Sequence, residues 1–251
     1  LTLVLPKSDI VPDIVTAGLD TIAIRMPKHP VALELIAYTG RPLAAPSANL
    51  SGKPSPTVGS HVWRDLRGKI PLILDAGQCE VGLESTVLDV SGEVPVLLRP
   101  GGITREELEE VLGEVRLDEP LVNQAPRAPG MKYRHYAPEG QLIVMTGKRA
   151  NILARMSEEI KKAHHRLKKI GILCTTESAP YLHEQLPDLL FVLGSENRPD
   201  EVASSLFEGL RLCDERQMDI ILAEGVNNNR GLGLAIMNRL EKAAGKRIIK
   251  V

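Results

Sequence analysis

Apolar positions in the first 116 residues come in short runs: LTLVL (1–5), TIAIR (21–25), PLILD (71–75), STVLDV (85–90) and VPVLLRP (94–100). Proline and glycine turns separate them, with room for about three short helices, which predicts an α+β domain on a twisted mixed sheet over residues 1–116. From Gln141 the rhythm changes. QLIVMT, IGILC, LLFVLG, DIILAEG and RIIKV are strand-like, and the segments between them have helical length and period. Ile152, Met156, Ile160 and Ala163 form one apolar stripe at steps of three or four, and Leu232, Ile236 and Leu240 form another. Strands alternating with helices predict βαβ units and a mainly parallel sheet over residues 140–251, so the fold class is α/β. Residues 117–139 show no periodicity and carry the prolines at 120, 126, 129 and 138. They read as a linker, yet they hold Tyr133 and Tyr136, half of the chain's four tyrosines.

Composition narrows the function. A chain of 251 residues, 43% hydrophobic, can bury a real core, and the length suits two domains. The 31 basic residues nearly cancel the 32 acidic ones, which speaks against a dedicated nucleic-acid binder and leaves room for at most a weak tRNA contact. Cys79, Cys174 and Cys213 are scattered without a CxxC pair, as suits a reducing compartment, and a cytoplasmic location is expected. No apolar run approaches the roughly 18 residues of a membrane span, and no signal-peptide pattern appears. The six histidines lack ligand spacing with acidic or cysteine partners, so no metal-binding side chains are assigned. The chain opens on LTLVLPKSD, without Met and inside a strand pattern, which reads as a fragment.

Five stretches carry the candidate chemistry. PSANLSG (46–52) offers Ser47, Asn49 and Ser51 on a glycine turn, a loop able to present donors to an anion, though an ordinary turn has the same composition. GLESTVLDV puts Ser85 and Thr86 at a strand entry, and LLRPGGITREEL delivers Arg99 at a strand end before a Thr104–Glu107 capping box. In TIAIRMP, alternation sets Thr21, Ala23 and Arg25 on one strand face. An arginine held on a strand end can meet a carboxylate or phosphate with its planar fork, or make a surface salt bridge. PGMKYRHYAP adds Lys132, Arg134 and His135 around Tyr133 and Tyr136. The GLG at 231–233 lacks the third glycine of a dinucleotide fingerprint and follows a late strand, so a dinucleotide site is not expected.

In this order, TIAIRMP, PSANLSG, ESTVLD, LLRPGG and PGMKYRHYAP resemble the threonylcarbamoyl-adenylate synthase family in its long form, and the likeness extends to GLGLAIMNRLEKAAG near the C-terminus. The resemblance implies a YrdC-like catalytic domain over 1–116, an ordered linker over the active site at 117–139 and a Rossmann-like domain over 140–251. It implies an enzyme, a nucleotidyltransferase acting in tRNA modification. L-threonine, bicarbonate and ATP, with Mg²⁺ on the phosphates, would give threonylcarbamoyl-AMP and pyrophosphate, the product passing to the tRNA threonylcarbamoyl transfer machinery. By position, Thr21, Ser47, Asn49, Ser55, Arg99, Tyr133 and Tyr136 are the expected ATP contacts, and Arg25, Ala45 and Ser85 the expected threonine contacts. No catalytic nucleophile is implied, because the threonyl carbamate attacks the α-phosphorus and the protein positions and stabilises charge. The family's N-terminal Lys-x-Arg segment has no match here, so the catalytic domain is expected to be N-terminally incomplete. Two other classes remain: an RNA-binding YrdC-like module without catalysis, and a Ser-dependent carbamoyl hydrolase or transferase using Ser47 or Ser85.

Overall fold

The elements are β1 (Thr2–Pro6), α1 (Asp13–Thr16), β2 (Thr21–Arg25), α2 (Pro30–Thr39), α3 (Gly59–Leu66), β3 (Val87–Asp89), β4 (Val96–Arg99), α4 (Arg105–Leu112), β5 (Arg116–Leu117), β6 (Gln141–Thr146), α5 (Arg149–His165), β7 (Ile170–Thr175), α6 (Ala179–His183), β8 (Leu189–Gly194), α7 (Pro199–Glu215), β9 (Ile220–Glu224), α8 (Leu232–Ala244) and β10 (Ile248–Lys250). They belong to a computed structural model that describes residues 1–118, 136–227, 230–245 and 247–251. The described residues fall into two units: 1–46 with 84–118, and 47–83 with those from 136 onward.

The first unit is built on a mixed sheet of order β2-β1-β3-β4-β5. β1 runs antiparallel to β2, pairing Thr2 with Arg25 and Pro6 with Thr21, and parallel to β3, pairing Thr2 with Val87. Period-two alternation divides the core between the faces: Val4, Val87 and Leu98 pack together on one, and Leu88, Leu97, Leu108 and Val115 on the other. α4 begins where the sequence predicts. Thr104 Oγ1 accepts from Glu107 N, and the Glu107 carboxylate accepts from Thr104 N at 2.7 Å, closing the capping box. α2 buries no side chain.

In the second unit all strand pairs of the sheet β10-β6-β9-β7-β8 are parallel. Both faces are covered, so its central strands are mainly apolar, as such sheets require, with polar residues only at their ends. Ile152, Met156, Ile160 and Ala163 of α5 pack with Met145, Ile172 and Leu222 against one face. Leu206, Phe207 and Leu210 of α7 join Ile236 and Leu240 of α8 over Val144, Leu173 and Ala223 on the other. The predicted stripes of both helices are the buried ones, Leu232 being partly buried at the edge.

One predicted strand is absent. PLILD forms none, and Leu72 and Leu74 are 70% and 56% exposed. An apolar run becomes a strand only against a partner edge, and among the described residues none pairs with it.

Candidate active site

In the first unit the register across β2, β1 and β3 brings four expected or newly visible polar groups into one network. Thr2 stands opposite Arg25, whose Nε donates to Thr2 Oγ1 at 2.9 Å. That hydroxyl lies 2.7 Å from Ser85 Oγ. From the other side Arg99, at the end of β4, donates through Nε and Nη2 to the Ser85 carbonyl at 3.0 and 2.9 Å, and through Nη2 to Ser85 Oγ at 3.3 Å. Arg99 is buried while Arg25 is exposed. The RPGG turn can lie this close because position 101 is glycine, where a Cβ would overlap the backbone of Glu84–Thr86. Thr86 Oγ1 locks the turn by donating to Ile103 O and accepting from Ile103 N.

The arrangement joins Arg25, Ser85 and Arg99, with the unforeseen Thr2 at its centre. Its only sequence signal was a hydroxyl sharing a face with Val4 in LTLVL. Thr21 is not part of it: it shares the face of Arg25 but pairs with Pro6, about 13 Å away along the strand. Ala45 is exposed, outside any helix or strand.

Ser47, Asn49 and Ser55 belong to the second unit, on one loop held by side chains. Asn49 Nδ2 donates to Leu50 O and Lys53 O at 2.8 and 3.1 Å, while its Oδ1 is buried without a hydrogen-bond partner among the described residues. Asp65 of α3 accepts from Leu50 N at 3.2 Å. Arg211 of α7 donates to Pro54 O at 2.6 Å and Ser55 O at 3.4 Å, and pairs with Asp65 at 2.8 Å. Both side chains of this pair are buried, at 7% and 5% exposure. Burial works against the charged form of Asp65, but the Arg211 hydrogen bond and charge hold its carboxyl below the usual range. Ser55 is buried and Ser47 exposed.

Tyr136 departs from the expected nucleotide contact. It is 6% exposed, its ring 5.2 Å from that of Phe207 and 5.7 Å from the Arg239 guanidinium carbon. The side chain is used in the apolar core of the second unit, where an aromatic ring buries the most area per residue. Tyr133 lies outside the described residues.

A mixed sheet carrying an arginine–hydroxyl–arginine network, on a chain that continues into a parallel α/β unit, defines a two-sheet α/β protein. A family model described as threonylcarbamoyl-AMP synthase, C-terminal domain, matches residues 103–245, and one described as telomere recombination matches residues 1–101. The chain is 50% identical to a threonylcarbamoyl-AMP synthase of Pyrococcus abyssi over 254 residues, spanning all of this chain and 72% of that protein. It is 47% identical to that of Bacillus subtilis, again over its whole length and 71% of the relative. The crystal structure of P. abyssi Sua5 complexed with L-threonine matches with a TM-score of 0.91 at 50% identity, covering 100% of this chain and 72% of that one. The chain belongs to the threonylcarbamoyl-AMP synthase family.

Two predictions follow from the loop anchor. Arg211→Met leaves Asp65 charged and buried and should cost about 3–5 kcal/mol in urea unfolding, whereas the double variant Arg211→Met/Asp65→Leu should recover most of that loss. A double variant no more stable than the single would show that the pair itself, not the orphaned charge, carries the energy. The second concerns His61 of α3, buried, with Nδ1 accepting from Thr57 N at 3.2 Å. Burial, then the Arg211 and Arg64 charges, lower its pKa to about 4 from the ordinary 6.5. Between these values the unfolded chain binds the extra proton, so this contribution is complete above pH 6.5 and lost as pH falls toward 4. His61→Asn, whose Oδ1 still accepts from Thr57, should flatten that part of the stability–pH curve; an unchanged slope would refute the assignment.

Proposed function

We propose that the chain is an L-threonylcarbamoyladenylate synthase, a nucleotidyltransferase supplying threonylcarbamoyl-AMP for tRNA modification. The observation that carries this reading is the Arg25–Thr2–Ser85–Arg99 network, in a chain similar over its whole length to a Sua5 structure holding L-threonine. Arg25 suits the amino-acid carboxylate: among the described residues only its Nε is hydrogen-bonded, and the residue is exposed. Ser85 and Ala45 complete the threonine assignment. Thr21, Ser47, Asn49, Ser55 and Arg99, with Tyr133, are assigned to ATP, and the 117–139 linker to covering the active site. Tyr136 is better read as an anchor at the linker's end than as a contact.

In the reaction, the threonine amine takes up bicarbonate with loss of water to form a carbamate. A carbamate oxygen then bonds to the α-phosphorus of ATP, the bond from that phosphorus to the bridging oxygen breaks, and pyrophosphate leaves. Fixed guanidinium and hydroxyl donors favour such a step by holding the anions and countering developing charge. Mg²⁺ would arrive on the ATP phosphates. A serine-nucleophile mechanism finds little support. Among the described residues no histidine or carboxylate accepts from the Ser85 or Ser47 hydroxyl, the contact that would activate a serine nucleophile.

Purified protein given ATP, L-threonine and bicarbonate should release pyrophosphate and form threonylcarbamoyl-AMP, detected by mass spectrometry, only when all three are present. Arg25→Ala should weaken threonine by about 2–4 kcal/mol and ATP much less. Pyrophosphate release independent of threonine, or equal losses for both substrates, would overturn the reading.

A further inference from the structure

Strands β6 and β9 are neighbours in the second sheet, yet their following helices lie on opposite faces, α5 on one and α8 on the other. The loops leaving them diverge, and a crevice opens at the carboxyl ends of the strands, the place where open parallel sheets take ligands. Here it is a cavity of about 700 Å³, within the range of small-molecule sites. No residue assigned to the synthase reaction lines it.

Polarity across the crevice follows from the register. On the β9 side Glu224 is 4% exposed. Its Oε2 accepts from Thr175 N and Oγ1 at 2.8 and 2.9 Å, and its Oε1 from Ser178 Oγ at 2.8 Å. All three donors are neutral, and among the described residues no basic side chain lies within ion-pairing distance of Glu224. A buried carboxylate ordinarily has such a partner, and this one keeps acceptor capacity on Oε1. Its charge adds to burial in pushing the Cys174 thiol up to about 12.

The crevice's basic residues, Arg149 and Lys250, lie on the β6 side, and Glu196 and Glu241 also line it. Glu224 pairs with Met145, and Thr146 with Lys250 of β10, so the β6–α5 turn begins one residue beyond the carboxylate and is flanked by a lysine. Gly147 lines the crevice at φ 135°, where a Cβ would overlap the Val251 backbone, so the turn packs tightly on the end of β10. α5 is 17 residues long, with no side-chain cap and no acidic residue in its first turn. Arg149 opens that turn, ion-paired with Glu196, and its Nε is buried without a hydrogen-bond partner among the described residues.

We propose that this crevice binds a nucleoside monophosphate, the phosphate at the α5 N-terminus beside Arg149 and Lys250, the ribose hydroxyls donating to Glu224. The turn carries one glycine and not the three of a dinucleotide fingerprint, which suits a single phosphate. A cation at one strand end and a buried carboxylate two strands away match the two ends of a ribose phosphate.

Hydrogen exchange of the full chain, read by mass spectrometry with 5′-AMP, ribose 5-phosphate, adenosine or inorganic phosphate, tests this. AMP and ribose 5-phosphate should slow exchange at residues 146–152 and 224–226, and adenosine and phosphate alone should bind at least about tenfold more weakly. Glu224→Gln should weaken AMP about tenfold or more; should that variant fail to fold, the partly exposed Arg149→Ala decides, with a loss of about fivefold or more expected. Absence of protection at millimolar AMP, protection that survives substitution in a folded variant, or inorganic phosphate protecting as well as AMP would each overturn the proposal. Because the readout is confined to these two segments, AMP held elsewhere does not register, and failure of the synthase reading leaves the result unaffected.

Discussion

The ion pair between Arg211 and Asp65 is the constraint on which the candidate nucleotide loop depends. A loop reading PSANLSGKPSP has almost nothing apolar to bury, so its shape has to come from polar anchors. Two buried charges are costly unless their remaining hydrogen-bonding capacity is met. Here it is met by the loop itself: Asp65 takes the Leu50 N–H, and Arg211 serves the carbonyls of Pro54 and Ser55. The desolvation cost thus works for specificity, because displacing the loop would strand a charge. His61 fits the same logic. Kept neutral beside Arg211 and Arg64, it adds no third positive charge to compete for Asp65.

The first unit solves a related problem with a neutral group. Thr2 Oγ1 stands between the Arg25 guanidinium and the Ser85 hydroxyl, and Ser85 is also gripped by Arg99. Strand pairing sets the spacing, so two guanidiniums converge on a pair of linked hydroxyls, Arg25 on that of Thr2 and Arg99 on that of Ser85. Fixed donors of this kind stabilise charge with little reorganisation, which is what the threonine carboxylate proposed for this site would need.

How much of this could be read in advance depended on the range of the interactions. The parallel sheet was legible because burial on both faces makes its strands mainly apolar, and the Thr104–Glu107 box because its partners are three residues apart. PLILD misled because local pattern cannot supply a partner strand. Thr2, Arg211 and Glu224 were passed over for the same reason: each acquires meaning from partners brought near only by folding, and an arginine within the helical stretch LFEGLRLCDE looks like a solvated charge. Tyr136 stood out correctly as unusual, but composition could not distinguish a ring facing a ligand from one packed on Phe207.

Helix α7 gathers these threads. One face supplies Leu206, Phe207 and Leu210 to the sheet. Elsewhere on it, Arg211 pairs with Asp65, and Glu215 with Arg64 of α3. About two turns earlier, Gly82, at φ 71°, lies so close to the Ser204 backbone that a Cβ there would overlap it. The 47–83 segment is therefore pinned to one rigid helix near both of its ends, at the loop bearing Ser47, Asn49 and Ser55 and again just before Leu83 turns toward the core. A segment fixed at two points on a helix that is itself locked into a sheet loses most of its freedom before any ligand arrives. That pre-organisation lowers the entropy cost of any ligand the loop takes, because the loop is held before the ligand binds.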